Sequence, residues 1–211
     1  MSSEPKPFWE KTYKAGNSPN TFSGGKPSKG VVEIAKSLPR GAKVLDLGCG
    51  EGRNALYFAR QGFETWGVDI SAAGIEKFRR IAESLTVPIH AEVCDMRKYS
   101  FPVAFDLIVC HGCLHLIERE DWKRLIAEMK RNTTDGGYHL IGVFTDAIPA
   151  PADLREFMVG LFHEGELFEH YSDWTILNKE SHIFEDEHPG SPKHKHACNR
   201  ITARKPRGKE G

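Results

Sequence analysis

The stretch Asp46-Leu-Gly-Cys-Gly-Glu-Gly-Arg-Asn54 decides how this sequence is read. It overlaps the apolar run Lys43-Val-Leu-Asp-Leu47 and leads into a helical pattern over residues 53–61 that stops at Gly62. A strand that gives way to a helix through glycines brings backbone close to a ligand and offers free N–H groups at the helix start. The pattern repeats on either side. Upstream, Val31, Ile34, Ala35 and Leu38 lie on one helical face that ends near Pro39. Downstream, residues 63–68 read as a second strand, and Ser71 caps a helix striped by Ile75, Phe78, Ile81, Ala82 and Leu85. Residues 89–94 and 105–110 read as strands three and four. Trp122, Leu125, Ile126 and Met129 mark another helix, and Asp135-Gly-Gly137 turns the chain into a fifth strand over 138–144.

Strand–helix alternation of this kind predicts an α/β fold with a doubly wound, mostly parallel sheet and helices on both faces. After Thr145 the pattern changes. A helical stretch follows Pro151, then a strand over 174–179, a polar loop through Pro189 and Pro192, and a last strand from His194 to Arg204. Two strands joined by so short a loop pair antiparallel, so the seven-stranded sheet is expected to end in a C-terminal hairpin. The expected plan is an irregular N-terminal arm and possible lid over 1–30, one domain over 31–205, and a disordered tail over 206–211.

The 211 residues carry 29 Lys and Arg against 29 Asp and Glu, a formal net charge of +0. That balance speaks against a dedicated nucleic-acid binder, and 39% hydrophobic content against a disordered chain. No apolar run approaches the ~20 residues that span a bilayer. The first residues lack the apolar core of a secretory leader. Five cysteines, an odd number and mostly within apolar runs, suit reduced thiols in the cytoplasm. The expected protein is cytoplasmic, monomeric or homodimeric, acting on a small molecule without nucleic acid or membrane.

The acids around the glycine turn narrow the ligand. A dinucleotide fingerprint would place its third glycine at 53, where this chain has Arg53, with glycine at 52 instead. Asp46, two residues before the first glycine, suits an amino group better than a pyrophosphate. Asp69, at the end of the second strand, suits the paired hydroxyls of a ribose. Asp95, after the third strand, suits an adenine amino group. Three acids at three strand ends describe a nucleoside that carries an amino acid rather than a phosphate.

On these residues the chain resembles the class I S-adenosylmethionine-dependent methyltransferases. Residues 46–54, Val68-Asp69-Ile70-Ser71, Cys94-Asp95-Met96, Asp106-Leu-Ile-Val-Cys110 and Asp135-Gly-Gly137 match their successive motifs. Gly50-Glu-Gly-Arg-Asn-Ala55, Glu164-Gly-Glu-Leu167, Tyr171-Ser-Asp-Trp174 and Ala203-Arg-Lys205 resemble the small tellurite-resistance methyltransferases and their thiopurine-methylating relatives. The resemblance implies a Rossmann-like fold and S-adenosylmethionine as cofactor, with S-adenosylhomocysteine as product. It implies contacts at Trp9, Tyr13, Asp46, Gly48, Cys49, Gly50, Arg53, Asn54, Asp69, Ile70, Asp95, Met96, Cys110 and His111. The acceptor it implies is a soft chalcogen or metalloid oxyanion such as tellurite or selenite, or a thiol. The chain departs from its relatives over 185–196, where it reads Glu185-Asp-Glu-His188 and Lys193-His-Lys-His196.

Ligands of open α/β sheets sit beyond the carboxyl ends of the strands. That edge gathers His111, His115, Arg155, His182, His188, His194 and His196 as acceptor-side groups that position the acceptor or take its proton. Cys110-His-Gly-Cys113 reads either as small residues beside an adenine ring or as a redox or soft-metalloid pair. His188, His194, His196 and Cys198 match no standard zinc spacing, so no metal is expected. Two rival readings stay open: a nicotinamide-dependent oxidoreductase on a similar sheet, and a nucleoside-binding regulator without catalysis.

Overall fold

The computed structural model describes residues 9–14, 23–152, 154–186 and 193–208. His188, with the rest of 187–192, lies outside the described residues. The chain divides into two compact units, Met1–Tyr99 and Ser100–Gly211.

In the first unit β1 (Lys43–Leu47), β2 (Glu64–Asp69) and β3 (His90–Val93) run parallel in the order β3-β2-β1. Val44, Leu45 and Leu47 of β1 are fully buried, the continuous apolar run expected of a strand covered on both faces. The helices are α1 (Glu10–Lys14), α2 (Lys29–Ala35), α3 (Arg53–Arg60) and α4 (Ala72–Ser84). The arm expected to be irregular thus holds a short helix, α1. Ser71 caps α4 as its sequence predicts, its hydroxyl accepting from the Gly74 N–H at 3.0 Å. Gly62, at φ +84°, ends α3. The buried ring of Phe78 on α4 lies against Gly52 and Gly67, and a Cβ at either glycine would collide with it. Gly52 also sits at φ +81°, so two separate constraints require glycine there.

The second unit contains β4 (Phe105–His111), β5 (Thr133–Thr145), β6 (Thr175–Asp186) and β7 (His194–Arg204), with helices α5 (Arg119–Arg131) and α6 (Glu166–Glu169). Its strand order is β4-β5-β7-β6. β4 and β5 are parallel, while β7 is antiparallel to both β5 and β6, the hairpin ending expected from the sequence.

Four expectations shift. Asp135-Gly-Gly137 does not precede the fifth strand but bulges within it, since Phe105 faces Thr133 while Leu107 faces Tyr138. Gly136 takes φ +76° there. The strand expected over 174–179 runs on to Asp186. As the edge strand of its unit it is mostly exposed, so its polar residues give no apolar alternation to read. The helical stretch expected after Pro151 is a series of turns, with Leu154 and Met158 as its buried anchors. Of the tail expected to be disordered over 206–211, residues 206–208 are described, and the Gly208 N–H donates to Asp135 at 3.1 Å. Lys205 is fixed as well, its Nζ reaching the Thr133 carbonyl at 2.7 Å.

Candidate functional site

The glycine turn of the first unit is built around two carboxylates. Gly48, Gly50 and Gly52 all adopt positive φ, at 77°, 56° and 81°. The N–H groups of Gly48 and Cys49 donate back to the Val68 carbonyl at 2.8 and 3.0 Å, which ties the turn to β2. Asp69 closes the arrangement. One of its oxygens accepts from the Gly50 N–H and the other from the Ser71 N–H, each at 2.8 Å. Burial pushes the Asp69 carboxyl up, and the two backbone hydrogen bonds pull it back. A carboxylate offers about four acceptor positions, so each oxygen keeps a lone pair for a ligand hydroxyl.

Asp46 is 2% exposed and accepts from the Ala55 N–H at 3.2 Å. Burial raises its pKa to about 7, against the pull of Arg53. An acid so costly to ionise gains most from a cationic partner. Arg53 donates to the Lys26 carbonyl at 3.0 Å, and Asn54 accepts from the Ser28 N–H at 3.1 Å. Asp95 caps the single turn Met96–Lys98 and holds Arg97, with Nη2 at 2.5 Å. Burial pushes its carboxyl up, but the Arg97 hydrogen bonds outweigh that and leave it below the usual range. Ile70, Met96 and Trp9 are half-buried.

Tyr13 of α1 is buried against the turn, and a Cβ at Gly50 would collide with its hydroxyl. Glu10 anchors this helix, accepting from the Ser71 hydroxyl at 2.5 Å and the Ala73 N–H at 3.2 Å. The Ser71 hydrogen bond holds its carboxyl below the usual range. Glu51, inside the turn, pairs with Lys77 of α4 at 2.7 Å, both side chains 3% exposed. Sequence reasoning missed Glu10, Glu51 and Lys77. The available signal was Lys77 itself, a cation between Ile75 and Phe78 on the apolar side of α4.

In the second unit the rings gather on Phe144. His115 stacks on it at 4.2 Å and His196 at 4.2 Å, while His194 meets His196 edge-on at 4.7 Å. His115 is buried, and its Nδ1 accepts from the Phe144 N–H at 3.2 Å. Burial, with His196 and His111 behind it, lowers its pKa to about 3. Neutral and accepting at Nδ1, it carries its proton on Nε2. His111 lies against Gly142, where a Cβ would come to 3.0 Å from its ring. His182 is half-buried, 3.8 Å from Cys198, and burial lowers its pKa. Arg155 is exposed in the turns after Pro151 and does not join the stack. Cys110 and Cys113 approach to 3.1 Å between sulfurs.

Comparison with known proteins places the chain in one family. The profile described as "Tellurite resistance protein TehB" matches residues 11–204. The chain is 34% identical over 149 residues to the probable S-adenosyl-L-methionine-dependent methyltransferase TehB of Haemophilus influenzae strain Rd, covering 70% of this chain and 50% of that protein. The chain thus spans about half the length of the curated relatives it matches. The crystal structure of TehB from H. influenzae superposes with a TM-score of 0.76 and 30% identity, over 84% of this chain and 62% of that one. The N-methyltransferase NodS of Bradyrhizobium japonicum, solved with S-adenosylhomocysteine, shares the fold at a TM-score of 0.67 and 17% identity, over 92% and 98%. These likenesses bear out the doubly wound, mostly parallel fold with its antiparallel C-terminal strands. With the family profile spanning nearly the whole chain, the protein belongs to the TehB tellurite-resistance family.

Proposed function

We propose that the chain transfers the methyl group of S-adenosylmethionine to a small acceptor, a chalcogen or metalloid oxyanion such as tellurite or selenite, or a thiol. The observation that carries this reading is the Asp69 carboxylate, fixed by two backbone N–H groups beside a left-handed glycine turn and still able to accept. The donor set fits the cofactor. Asp69 takes the ribose hydroxyls, Asp46 the ammonium, Asp95 the base amino group, and Tyr13 and Trp9 cover the turn as a lid. Ile70 and Met96 complete the contacts within the first unit. When bound, the cofactor supplies an electrophilic methyl on a positively charged sulfur.

The chain's own task is to align the acceptor and exclude water, which supplies ~7–11 kcal/mol of barrier reduction without an acid or base. The acceptor-side groups proposed for the second unit gather on Phe144. His115 acts as a donor through Nε2–H rather than as a base, because its Nδ1 is already committed. His194 and His196 lie beside it for an anionic acceptor. The test is S-adenosylhomocysteine release from the purified chain with tellurite, selenite, arsenite, thiols and thiopurines. Turnover is expected with an oxyanion or a thiol; no release with any acceptor would reject the reading.

Asp46 adds a pH signature. In the free protein it keeps its proton up to about pH 7. A ligand ammonium favours the ionised form. Binding of S-adenosylhomocysteine below pH 7 therefore expels a proton, and affinity climbs as pH rises toward 7, by at most about tenfold per unit. Calorimetry at pH 6 in buffers of different ionisation heat reads the released proton directly. Equal heats in all buffers would remove Asp46 from the ammonium site.

A further inference from the structure

None of the five cysteines is joined in a disulfide, and they are not equivalent. Cys49 turns its sulfur to the Gly50 carbonyl, Cys94 to the Asp95 carbonyl, and Cys198 lies beside His182. Cys110 and Cys113 instead face each other, sulfur to sulfur at 3.1 Å. We infer that these two thiols form a chelating site for a neutral, thiophilic trivalent metalloid of the arsenous-acid or organoarsenical class.

The backbone presets the pair. Cys110 is locked in the β4–β5 ladder opposite Ile141. Two residues on, the Gly112 N–H donates to the Gly142 carbonyl at 2.8 Å. Gly112 at φ +82° reverses the chain so that the second sulfur returns to the first. Among the described residues, none other than its two chain neighbours places an atom within 4 Å of where a Cβ on Gly112 would stand, so the outer side of the turn is open. Cys113 is then fixed by its carbonyl, which accepts from the Leu116 N–H at 3.0 Å.

The number of donors and their burial choose the ligand. Among the described residues no group of three or more His, Cys, Asp or Glu could hold a metal ion. Zinc therefore lacks the further protein ligands it requires. A trivalent metalloid makes only three bonds, so two thiols suffice and the third bond keeps a hydroxyl or carbon. Cys110 is 0% and Cys113 6% exposed, a setting that penalises a charged complex. Condensation with a neutral hydroxide leaves no charge behind. Two S–H bonds and two metalloid–OH bonds break, two metalloid–sulfur bonds form, and two waters leave. No oxidation state changes, so no oxidant is needed, whereas a disulfide would require one and would draw the sulfurs in to about 2.0 Å. Chelation at this pair is read by mass and alkylation, without any methyl-transfer assay.

The test uses the full-length reduced chain with phenylarsine oxide and, separately, arsenous acid. Intact mass should show one phenylarsenic group in place of two hydrogens. The adduct should survive excess glutathione, a monothiol, and be stripped by 2,3-dimercaptopropanol. After unfolding, alkylation should mark Cys49, Cys94 and Cys198 and spare Cys110 and Cys113. In Cys110→Ala or Cys113→Ala the loss of one arm should weaken retention against glutathione about a hundredfold. The wild-type protection map decides the question even where a variant folds poorly. Protection on other cysteines, retention of neither probe, or variants that hold the adduct as well as wild type would overturn the assignment.

Discussion

Asp69→Ala is expected to remove measurable S-adenosylhomocysteine binding while leaving a folded protein. The carboxylate has two tasks. It accepts from Gly50 and Ser71, and through its remaining lone pairs it is proposed to hold the ribose. Alanine ends both. Losing hydrogen bonds to a charged acceptor costs ~2–4 kcal/mol of affinity, or roughly 30- to 1000-fold. The two N–H groups it leaves behind belong to Gly50 and Ser71, both buried, so stability falls as well, by ~1–3 kcal/mol for each donor left unpaired. Asp69→Asn separates the tasks. Its amide oxygen can serve one N–H, but its NH2 must face the other, so the turn distorts and affinity still falls. Calorimetry for affinity and thermal melting for fold read the two effects apart. A well-folded Asp69→Ala chain with wild-type affinity would move the ribose elsewhere and take the proposed cofactor site with it.

What could be read from the sequence was what local spacing encodes. The glycine turn, the Ser71 cap and the last strand, His194–Arg204, each depend on residues within a few positions of one another. The Asp135-Gly-Gly137 bulge was misplaced because a bulge and a turn ask for the same residues, and only the pairing partner distinguishes them. The second half of β6 was missed because an edge strand need not alternate. In the candidate site, Asp46 and Asp69 were legible since each caps a strand beside a glycine. Glu10 was not, since its partner Ser71 lies 61 positions away. His115 and His196 were named singly. Their common platform, Phe144, reads in sequence as one more apolar residue of a strand.

The Glu51–Lys77 pair marks where sequence patterns carry least and structure most. Both groups are 3% exposed and 2.7 Å apart, joining the glycine turn to α4. Lys77→Met strips Glu51 of its cation, and Glu51→Gln leaves the ammonium without its anion. Either change is expected to cost ~3–5 kcal/mol, because one charge stays buried while its main counter-charge is gone. In a chain of this length that lowers the melting temperature by about 10 °C. The double variant Glu51→Met, Lys77→Met should recover most of the loss, since a buried ion pair is rarely worth more than well-packed apolar groups of similar size. Recovery of stability need not restore binding. Glu51 stands between Gly50 and Gly52, so the pair fixes the backbone whose Gly50 N–H holds Asp69. The double variant is therefore expected to melt near wild type and yet bind S-adenosylhomocysteine about tenfold more weakly. Single variants that melt like wild type would mean that the pair contributes little. A double variant with full affinity would mean that the turn keeps its shape without it.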